Sequence, residues 1–384
     1  MVVFVAVIAG GMLITIVCSA LALYAHPEKQ HNKRVVSVSV RLPVQHTAEV
    51  PPAQHTVVKP LANTTAPSLP LTLCAVGDIS FMRKDVRYNK AHAFPHSAVT
   101  RLLQNADLTF GNLESALSTR GTPIPGKKYT FCGGPQHARL LKAVGFDVLS
   151  TANNHSKDYG AVALLDTLKM LKDNQLISAG SGQSIADAYR PVFLTLKGTR
   201  VAFLAFSNVM PPGFGVTASS CGVASIRDSR RVAAAFHEAR RSADVVVISI
   251  HWGKELSTTP SRDQINAAHK LIDQGADIIL GHHPHVVQGI EIYKGKMVAY
   301  SLGNFIFSPG NSLGRQSMLL IMQLSDGKLR SASVYPIYIE GVRPARIGGS
   351  RGCSLLRGIA LRSQSFKTPC AINTVSAELT ISNK

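Results

Sequence analysis

The stretch ILGHHPHVVQ, residues 279–288, places three histidines within four positions directly behind an apolar run. A short apolar run of this kind is typical of a buried strand, so the histidines stand where that strand ends. Three neighbouring imidazoles would repel one another if all of them were protonated. The cluster therefore predicts a shell of ligands around a positive ion, and the remaining ligands have to come from elsewhere in the chain.

Similar apolar runs recur from Leu71 onward and alternate with amphipathic helical segments such as SAVTRLLQNA, QHARLLKAVG and SRDQINAAHKLIDQG. Strands that are apolar on both faces and separated by helices indicate an α/β fold with a largely buried sheet. The predicted strands are LTLCAVGD, DLTFGNLE, DVLSTANNH, TRVAFLAFSN, DVVVISIHWG, DIILGHHPH and MVAYSLGNF.

Five of these strands end in side chains that can bind a metal ion. Open α/β sheets gather ligands at the carboxyl ends of their strands, so residues far apart in sequence can converge there. Carboxylates and amide carbonyls supply hard oxygens and imidazoles supply borderline nitrogens, a mixture that suits Mn, Zn or Fe. Besides the histidines at 282, 283 and 285, the candidates are Asp78, Asn112, Glu114, Asn153, Asn154, His155 and His251.

Each candidate also has a structural alternative. Asp78 could cap a helix, Glu114 could lie on the surface, and paired asparagines often close turns. A single histidine at a strand end is more often structural than a ligand. These alternatives do not explain why the residues occur together at five strand ends, and we therefore predict a metal site.

The formal charge of +19 is spread along the chain without a dense basic block. Such an excess favours an acidic partner or an anionic surface, and a generically basic, soluble surface is the alternative. We expect no nucleic-acid binding, because the sequence lacks helix-turn-helix, zinc-finger and aromatic RNA-binding patterns. The six cysteines contain no CxxC pair, so one or two disulfides and free buried thiols both stay open.

Residues 1–25 contain an uncharged segment, from Val2 to Ala25, that is long enough to cross a bilayer as a helix. It predicts a membrane anchor, with a long signal peptide as the alternative. Lys29, Lys33 and Arg34 follow the segment and no basic residue precedes it, the reverse of the usual positive-inside bias. Residues 26–70, rich in Pro, Thr, Val, His and Gln, indicate an extended tether.

Six ordered motifs, GDISF, NLE, ANNHSKDYG, HWGKE, GHHPHVVQG and YSLGNFIF, resemble the capsule-synthesis (CapA) family of poly-γ-glutamate biosynthesis proteins. The resemblance covers residues 71 to about 309 and leaves 310–384 as a β-rich completion with a basic tail. Because that family is related to the calcineurin-like metallophosphoesterases, the resemblance implies a four-layer α-β-β-α sandwich of the metallophosphoesterase type.

The resemblance also implies a site of one or two divalent ions. The implied ligands are Asp78, Glu114, Asn154, His251, His283 and His285, with His155 as a proton donor to the leaving group. We expect further residues to support the ligands or to line the pocket, namely Asn112, Asn153, Asp158, Glu255, His282 and Asn304.

Several positions depart from these patterns. The phosphoesterases normally have Asp-x-His in the first strand, whereas Ser80 stands here where the histidine would be, so the number of ions could fall to one. Glu114 replaces an aspartate, and Leu256 stands where the capsule family usually has tyrosine. His282 is an additional histidine that could replace the lost ligand or orient a neighbour.

Three functions follow as hypotheses. The first is a protein of the bacterial cell membrane, with a single N-terminal span and an extracytoplasmic domain, that assists synthesis, export or retention of an anionic polymer such as poly-γ-glutamate. Its expected partners are that polymer, the membrane and other capsule-synthesis membrane proteins. The second is a metal-dependent hydrolase of phosphoesters or polymer amides. The third is a non-catalytic scaffold that binds polyanions.

Overall fold

The computed structural model describes residues 4–9, 12–17, 69–82 and 95–383. Strands β1 (Phe4–Ala9) and β2 (Met12–Val17) form an antiparallel pair within a first compact unit, residues 1–64. Among the residues described, we find no helix with the length and apolar character needed to span a membrane. Of the predicted membrane segment, residues 2–25, only these two strands are described, and the predicted tether, except for Leu69 and Pro70, lies outside the described residues.

The second compact unit, residues 65–384, contains a nine-stranded sheet. Its order is β20-β21-β18-β17-β3-β4-β7-β8, with β19 paired to β18. The strands β3, β4, β7 and β8 run parallel, and β17 pairs antiparallel to β3. Its members are β3 (Leu71–Ile79), β4 (Leu108–Leu113), β7 (Val148–Ser150), β8 (Ile177–Ala179), β17 (Gln316–Ser325), β18 (Lys328–Glu340), β19 (Arg343–Arg346), β20 (Cys370–Asn373) and β21 (Glu378–Ser382).

A six-stranded sheet follows the order β10-β11-β13-β14-β16-β15. The central strands β11, β13, β14 and β16 are parallel, so the carboxyl ends of all four lie at one edge. The strands are β10 (Val192–Leu196), β11 (Thr199–Ser207), β13 (Val245–His251), β14 (Ile278–His282), β15 (Ile290–Tyr293) and β16 (Lys296–Ala299). Two small sheets pair β5 (Ala116–Leu117) with β6 (Cys132–Gly133) and β9 (Ser181–Gly182) with β12 (Gly222–Val223).

Seven helices lie in the described part of this unit. Two of them begin with a capping box, Ser184 with Asp187 and Ser261 with Gln264, which satisfies the first backbone N–H groups of those helices. The helices are α1 (Ser97–Asn105), α2 (Gln136–Ala143), α3 (Gly160–Asp173), α4 (Ile185–Tyr189), α5 (Ser229–Ser242), α6 (Arg262–Asp273) and α7 (Gly349–Gln364).

Three apolar clusters divide the core. Alternate residues of β3 and β13 (for example Leu73 and Val247) share one cluster with residues from both large sheets. The other residues of β3, such as Val76, pack with α1 and α2, while those of β13, such as Ile248, pack with α5 and α6. The mixed α/β class predicted from the sequence is confirmed, and the four-layer order implied by the resemblance stays a prediction.

The C-terminal residues complete the sheets. Strands β17 and β18 pair with each other within residues 310–384, the segment expected to be rich in β structure. Strand β17 also lies directly beside β3. The basic tail forms α7, whose Leu355, Leu356 and Ile359 enter the core between the sheets, and the β20–β21 hairpin. Cys74, Cys221, Cys353 and Cys370 are free thiols.

Gly77 allows strand β3 to approach the loop that carries Gly303 closely. The Asp78 N–H donates to the Gly303 carbonyl over 2.9 Å, and a Cβ added at Gly77 would lie 1.9 Å from that same oxygen. Residue 77 therefore has to be glycine for β3 to deliver Asp78 to its observed position.

We expect Gly77→Ala to lower the free energy of unfolding by about 3 kcal/mol or more, because the clash is with backbone and cannot be relieved by a rotamer change. Gly310→Ala is the matched control, since nothing lies within 4 Å of its added Cβ. Denaturant unfolding of both variants measures the difference. Equal stability of the two would contradict the assigned packing.

Candidate metal centre

The carboxyl ends of four strands bring the site together. Asp78 at the end of β3 is in register with Asn112 of β4, and His251 at the end of β13 is in register with His282 of β14. A single bridge also joins Asp78 to Asn304. The predicted convergence of strand ends is thus what the backbone shows.

The carboxylate of Asp78 is fully buried and saturated with hydrogen bonds. Its Oδ1 accepts from Asn112 Nδ2 over 2.9 Å and lies 3.1 Å from His282 Nδ1. Its Oδ2 accepts from the backbone N–H of His283 over 3.2 Å and lies 3.2 Å from His285 Nδ1. Asp78 therefore ties the ends of the two large sheets together.

Glu114 presents the opposite situation. Its side chain is fully buried, yet neither carboxylate oxygen has a hydrogen-bond partner. Three imidazole nitrogens surround Oε1 at longer range: His251 Nε2 at 3.5 Å, His285 Nε2 at 3.7 Å and His155 Nε2 at 3.9 Å. A buried carboxylate without a partner is costly, so this one calls for a positive ion.

These separations fit atoms that share an ion. Two ligands bound at about 2.1 Å in a tetrahedral shell lie roughly 3.4 Å apart, too far for a good hydrogen bond. Glu114, His283 and His285 form one group of possible ligand atoms within 4.8 Å of one another, and Asp78, Glu114 and His251 form a second. Glu114 belongs to both groups, so its carboxylate is placed to bridge two positions or to serve one.

Asn154 lies beside these groups. Its Oδ1 is 2.8 Å from His251 Nε2, which is within hydrogen-bond distance. All six residues implied as ligands are therefore brought together. The donors are carboxylate and amide oxygens with imidazole nitrogens and no thiolate, a set that fits a divalent ion such as Mn, Zn or Fe.

Two of the histidines occupy unusual backbone conformations. His283 has a φ of 94° and His285 a φ of 57°, in the region that L-residues other than glycine rarely enter. Local strain of this kind persists only where the surroundings enforce it. Here it turns both imidazoles back toward Glu114 immediately after the strand.

His155 stands next to the ligands with its own partner. Its Nδ1 lies 2.5 Å from Asp158 Oδ2, and Phe131 stacks on the ring at 4.2 Å between centroids. The Nδ1–H donates to the carboxylate in the tautomer that leaves Nε2 free to face Glu114. The ring is thus oriented for a proton transfer at Nε2.

Lys127 is a site residue that the sequence reasoning did not identify. Its ammonium donates to Asp158 Oδ1 and to the backbone carbonyl of Asn154, and lies 3.2 Å from His155 Nδ1. It comes from the loop GKKYTF, which has no periodicity and no strand-end position to mark it. The lysine neutralises Asp158 and holds it against His155.

The residues expected to support the ligands divide into two groups. Asn153 donates to Asn112 Oδ1 over 3.1 Å, and Asn304 Oδ1 lies 2.8 Å from His285 Nδ1. His282 contacts Asp78 through Nδ1 and belongs to neither ligand group, while its buried Nε2 has no hydrogen-bond partner among the described residues. Glu255, in contrast, is exposed and forms no contact with the cluster within the described residues.

The loop of residues 211–225 borders the site. Lys157, buried next to Asp158, donates to the carbonyls of Gly213 over 2.7 Å and Cys221 over 3.0 Å. Phe214 of the same loop is buried, with the Lys127 ammonium 5.1 Å from its ring centroid. These contacts join the loop to the residues that surround His155.

Burial and neighbouring charges shift the pKa values of the acids and histidines of the site in different directions. Burial raises the pKa of Glu114 well above its usual range, whereas the hydrogen bonds from His282 and His285 outweigh burial and hold the pKa of Asp78 well below it. Burial lowers the pKa of His251 and brings that of His283 to about 4. Burial also opposes protonation of His285, but Glu114 and Asp78 raise its pKa to about 10.

Comparison with known proteins gives a consistent result. The profile of the bacterial capsule synthesis protein family PGA_cap matches residues 72–309. The chain is 32% identical over 343 residues to the capsule biosynthesis protein CapA of Bacillus anthracis, covering 84% of this chain and 80% of that one. It is 33% identical over 281 residues to the PGA biosynthesis protein CapA of Bacillus subtilis, covering 72% and 74%.

A solved structure, the NAD nucleotidase of Haemophilus influenzae, superimposes with a TM-score of 0.39 and 13% identity. The match covers 77% of this chain and 56% of that one.

Metal retention tests the centre. We expect about one or two ions per chain in the wild type and nearly none in His251→Ala and His285→Ala, because each variant removes a nitrogen ligand, buried in His251 and partly buried in His285. His237→Ala, which removes an exposed histidine of α5, should keep its metal. Mass spectrometry of the metal content of the purified proteins makes the comparison, and metal retained in both site variants would contradict the assignment.

Metal binding should release protons. In the metal-free protein, the pKa of about 10 keeps His285 protonated at neutral pH, so its ring has to lose a proton before it can bind an ion. Glu114, with its raised pKa, adds to the release, and the already neutral His283 does not. Affinity should therefore rise with pH up to about pH 10, where His285 of the metal-free protein loses its proton. Calorimetry in buffers of different ionisation enthalpy counts the protons, and a buffer-independent enthalpy would argue against this protonation.

Proposed function

The chain belongs to the bacterial capsule synthesis protein family PGA_cap, and on that premise we propose that it assists the synthesis, export or retention of an anionic capsule polymer such as poly-γ-glutamate. The observation that carries the proposal is the position of the site: every residue of the carboxylate–histidine cluster lies within the matched residues 72–309. The family similarity and the metal centre are therefore properties of the same domain.

The charge of the chain supports a polyanionic partner. With 41 basic and 22 acidic side chains, the protein carries a formal charge of +19, which attracts a chain of carboxylates over long range. This attraction should weaken as salt rises, since exposed charges are screened within about 8 Å at physiological ionic strength. An electrostatic partnership of this kind needs no dense basic block.

Attachment to the bacterial cell membrane, with the domain outside the cytoplasm, is part of the proposal. The uncharged run of residues 2–25 supports it, although the described residues do not support a helix there. Other membrane proteins of capsule synthesis are the expected partners. A protein that handles a polymer at the point of export has to stay close to that point.

A metal-dependent hydrolase is the second candidate, favoured by one specific observation. His155, oriented by Asp158 and Lys127, directs Nε2 toward the cluster, where it can exchange a proton with a substrate. A divalent ion bound there would supply Lewis-acid polarisation of a phosphoester or of a polymer amide. Glu114, His251 and His285 would hold the ion, and the loop carrying Phe214 would limit access of water.

The third candidate is a scaffold in which the ion only joins strand ends and the surface charge binds the polymer. Ser80, in the place of a histidine, favours it because the first strand offers one nitrogen ligand fewer than the phosphoesterases have. The scaffold and the hydrolase differ in one respect: only the hydrolase needs His155.

Complementation of a strain that lacks this gene distinguishes the candidates, with polymer yield and polymer chain length as the readouts. His251→Ala should lower the yield strongly by removing the metal. If the centre is catalytic, His155→Ala should keep the metal and reduce the rate of hydrolysis about 10²-fold or more, the usual contribution of an acid–base residue. Yield or chain length of the polymer should change with it. Glu255→Ala, an exposed acid of the same HWGKE motif, is the control and should behave as wild type.

Each outcome distinguishes between the candidate functions. Normal yield and chain length in His251→Ala would overturn the proposed role of the metal centre. Loss in His251→Ala with a normal His155→Ala would select the scaffold over the hydrolase. Immunoblotting of each variant controls for expression.

A further inference from the structure

A second concave site lies on the outer face of the six-stranded sheet. It is an open cavity of about 560 Å³ between α5 and α6, and it borders Asn208 and Trp252, the residues that directly follow β11 and β13. Its volume is within the range of about 300–1,000 Å³ typical of ligand pockets. Its position at the ends of parallel strands is where open α/β sheets bind ligands.

The lining combines three kinds of groups. Lys254 and Lys270 supply positive charge and Asp263 supplies one negative charge, so the charged lining is net positive; neither lysine has an ion-pair partner within the part of the chain that the structure describes. Asn208 and Gln274 supply amides, and the indole of Trp252 belongs to an apolar wall. A ligand that satisfies this lining has carboxylates, amide groups and methylene stretches in one molecule.

The cavity adjoins the metal centre through two consecutive residues. His251 directs its imidazole toward Asn154 and Glu114, whereas Trp252 packs in the outer cluster and donates its Nε1–H to the Tyr300 carbonyl over 3.0 Å. The backbone N–H of Asn208 donates to the His251 carbonyl over 2.8 Å. The same strand end therefore serves both sites.

We infer that this cavity binds a short segment of the acidic polymer and holds it beside the metal centre, an inference that rests on the proposed function. A γ-linked glutamyl chain has a carboxylate, an amide and two methylenes in each unit, which correspond to the lysines, the amides and the apolar wall. A small inorganic anion would leave the apolar wall and the amides unused. A purely apolar ligand would leave the lysines without partners.

Trp252 makes the test direct, because it is the chain's only tryptophan. Full-length wild type is titrated with a short oligomer of γ-linked glutamate while tryptophan emission is recorded, and calorimetry gives the affinity independently. If the oligomer binds in the cavity, the tryptophan emission should change with oligomer concentration, and the dissociation constant from that change should equal the one from calorimetry. The double variant Lys254→Gln/Lys270→Gln should bind about tenfold more weakly or worse, because it loses two charged contacts.

Two further variants keep the result specific. Lys172→Gln/Lys328→Gln removes the same charge from exposed positions outside the cavity and should change affinity less than about twofold. Ala233→Phe fills the cavity without changing charge and should abolish the emission change. Circular dichroism of each variant confirms folding.

Equal weakening by the two lysine pairs, or binding heat without any change in emission, would overturn the cavity as the binding site while leaving the proposed function intact. Wild type that binds neither the oligomer nor the full-length polymer would overturn the proposed function as well. Equal binding of an unrelated anion such as inorganic phosphate would show that the cavity recognises charge alone and would overturn the polymer assignment.

Discussion

The carboxylate of Asp78 is the interaction on which the arrangement of the site depends. It accepts hydrogen bonds from Asn112 in its own sheet and from His283, and contacts His282, at the end of the other sheet. Each partner is buried and would lose its hydrogen bond if the carboxylate were absent, which is costly for polar groups away from water. One side chain thus joins the ends of two sheets that also meet through apolar packing and through polar contacts such as that between Asn154 and His251.

Glu114 has no hydrogen-bond partners, and this contrast with Asp78 explains why the centre suits a positive ion. A buried carboxylate either stays protonated or finds a positive charge, and the three imidazoles around it are too distant to donate good hydrogen bonds. An ion that binds the folded chain and not the unfolded one adds its binding free energy to stability. In this centre, metal affinity and the stability of the fold are therefore linked quantities.

Much of the fold and the convergence of the candidate ligands could be predicted, because β3, β13 and β14 are continuous apolar runs that each end at or just before a candidate ligand. Lys127 could not, since it lies in a loop and reaches Asp158 only through tertiary structure. Glu255 was expected near the site from its motif, but the turn after β13 leaves it exposed. Helix α7 begins GSRG, with weak helix formers, and depends on burial of residues such as Leu356.

The position of β17 has a consequence for when the centre can form during synthesis. Leu71 at the start of β3 pairs with Leu324 of β17, so the strand that carries Asp78 keeps an open edge until almost the whole chain has been made. Pairings between such distant segments form late, because a long loop has to close first. The edge of β3 therefore closes only after the segment that carries all of the candidate ligands, residues 78–285, has been made.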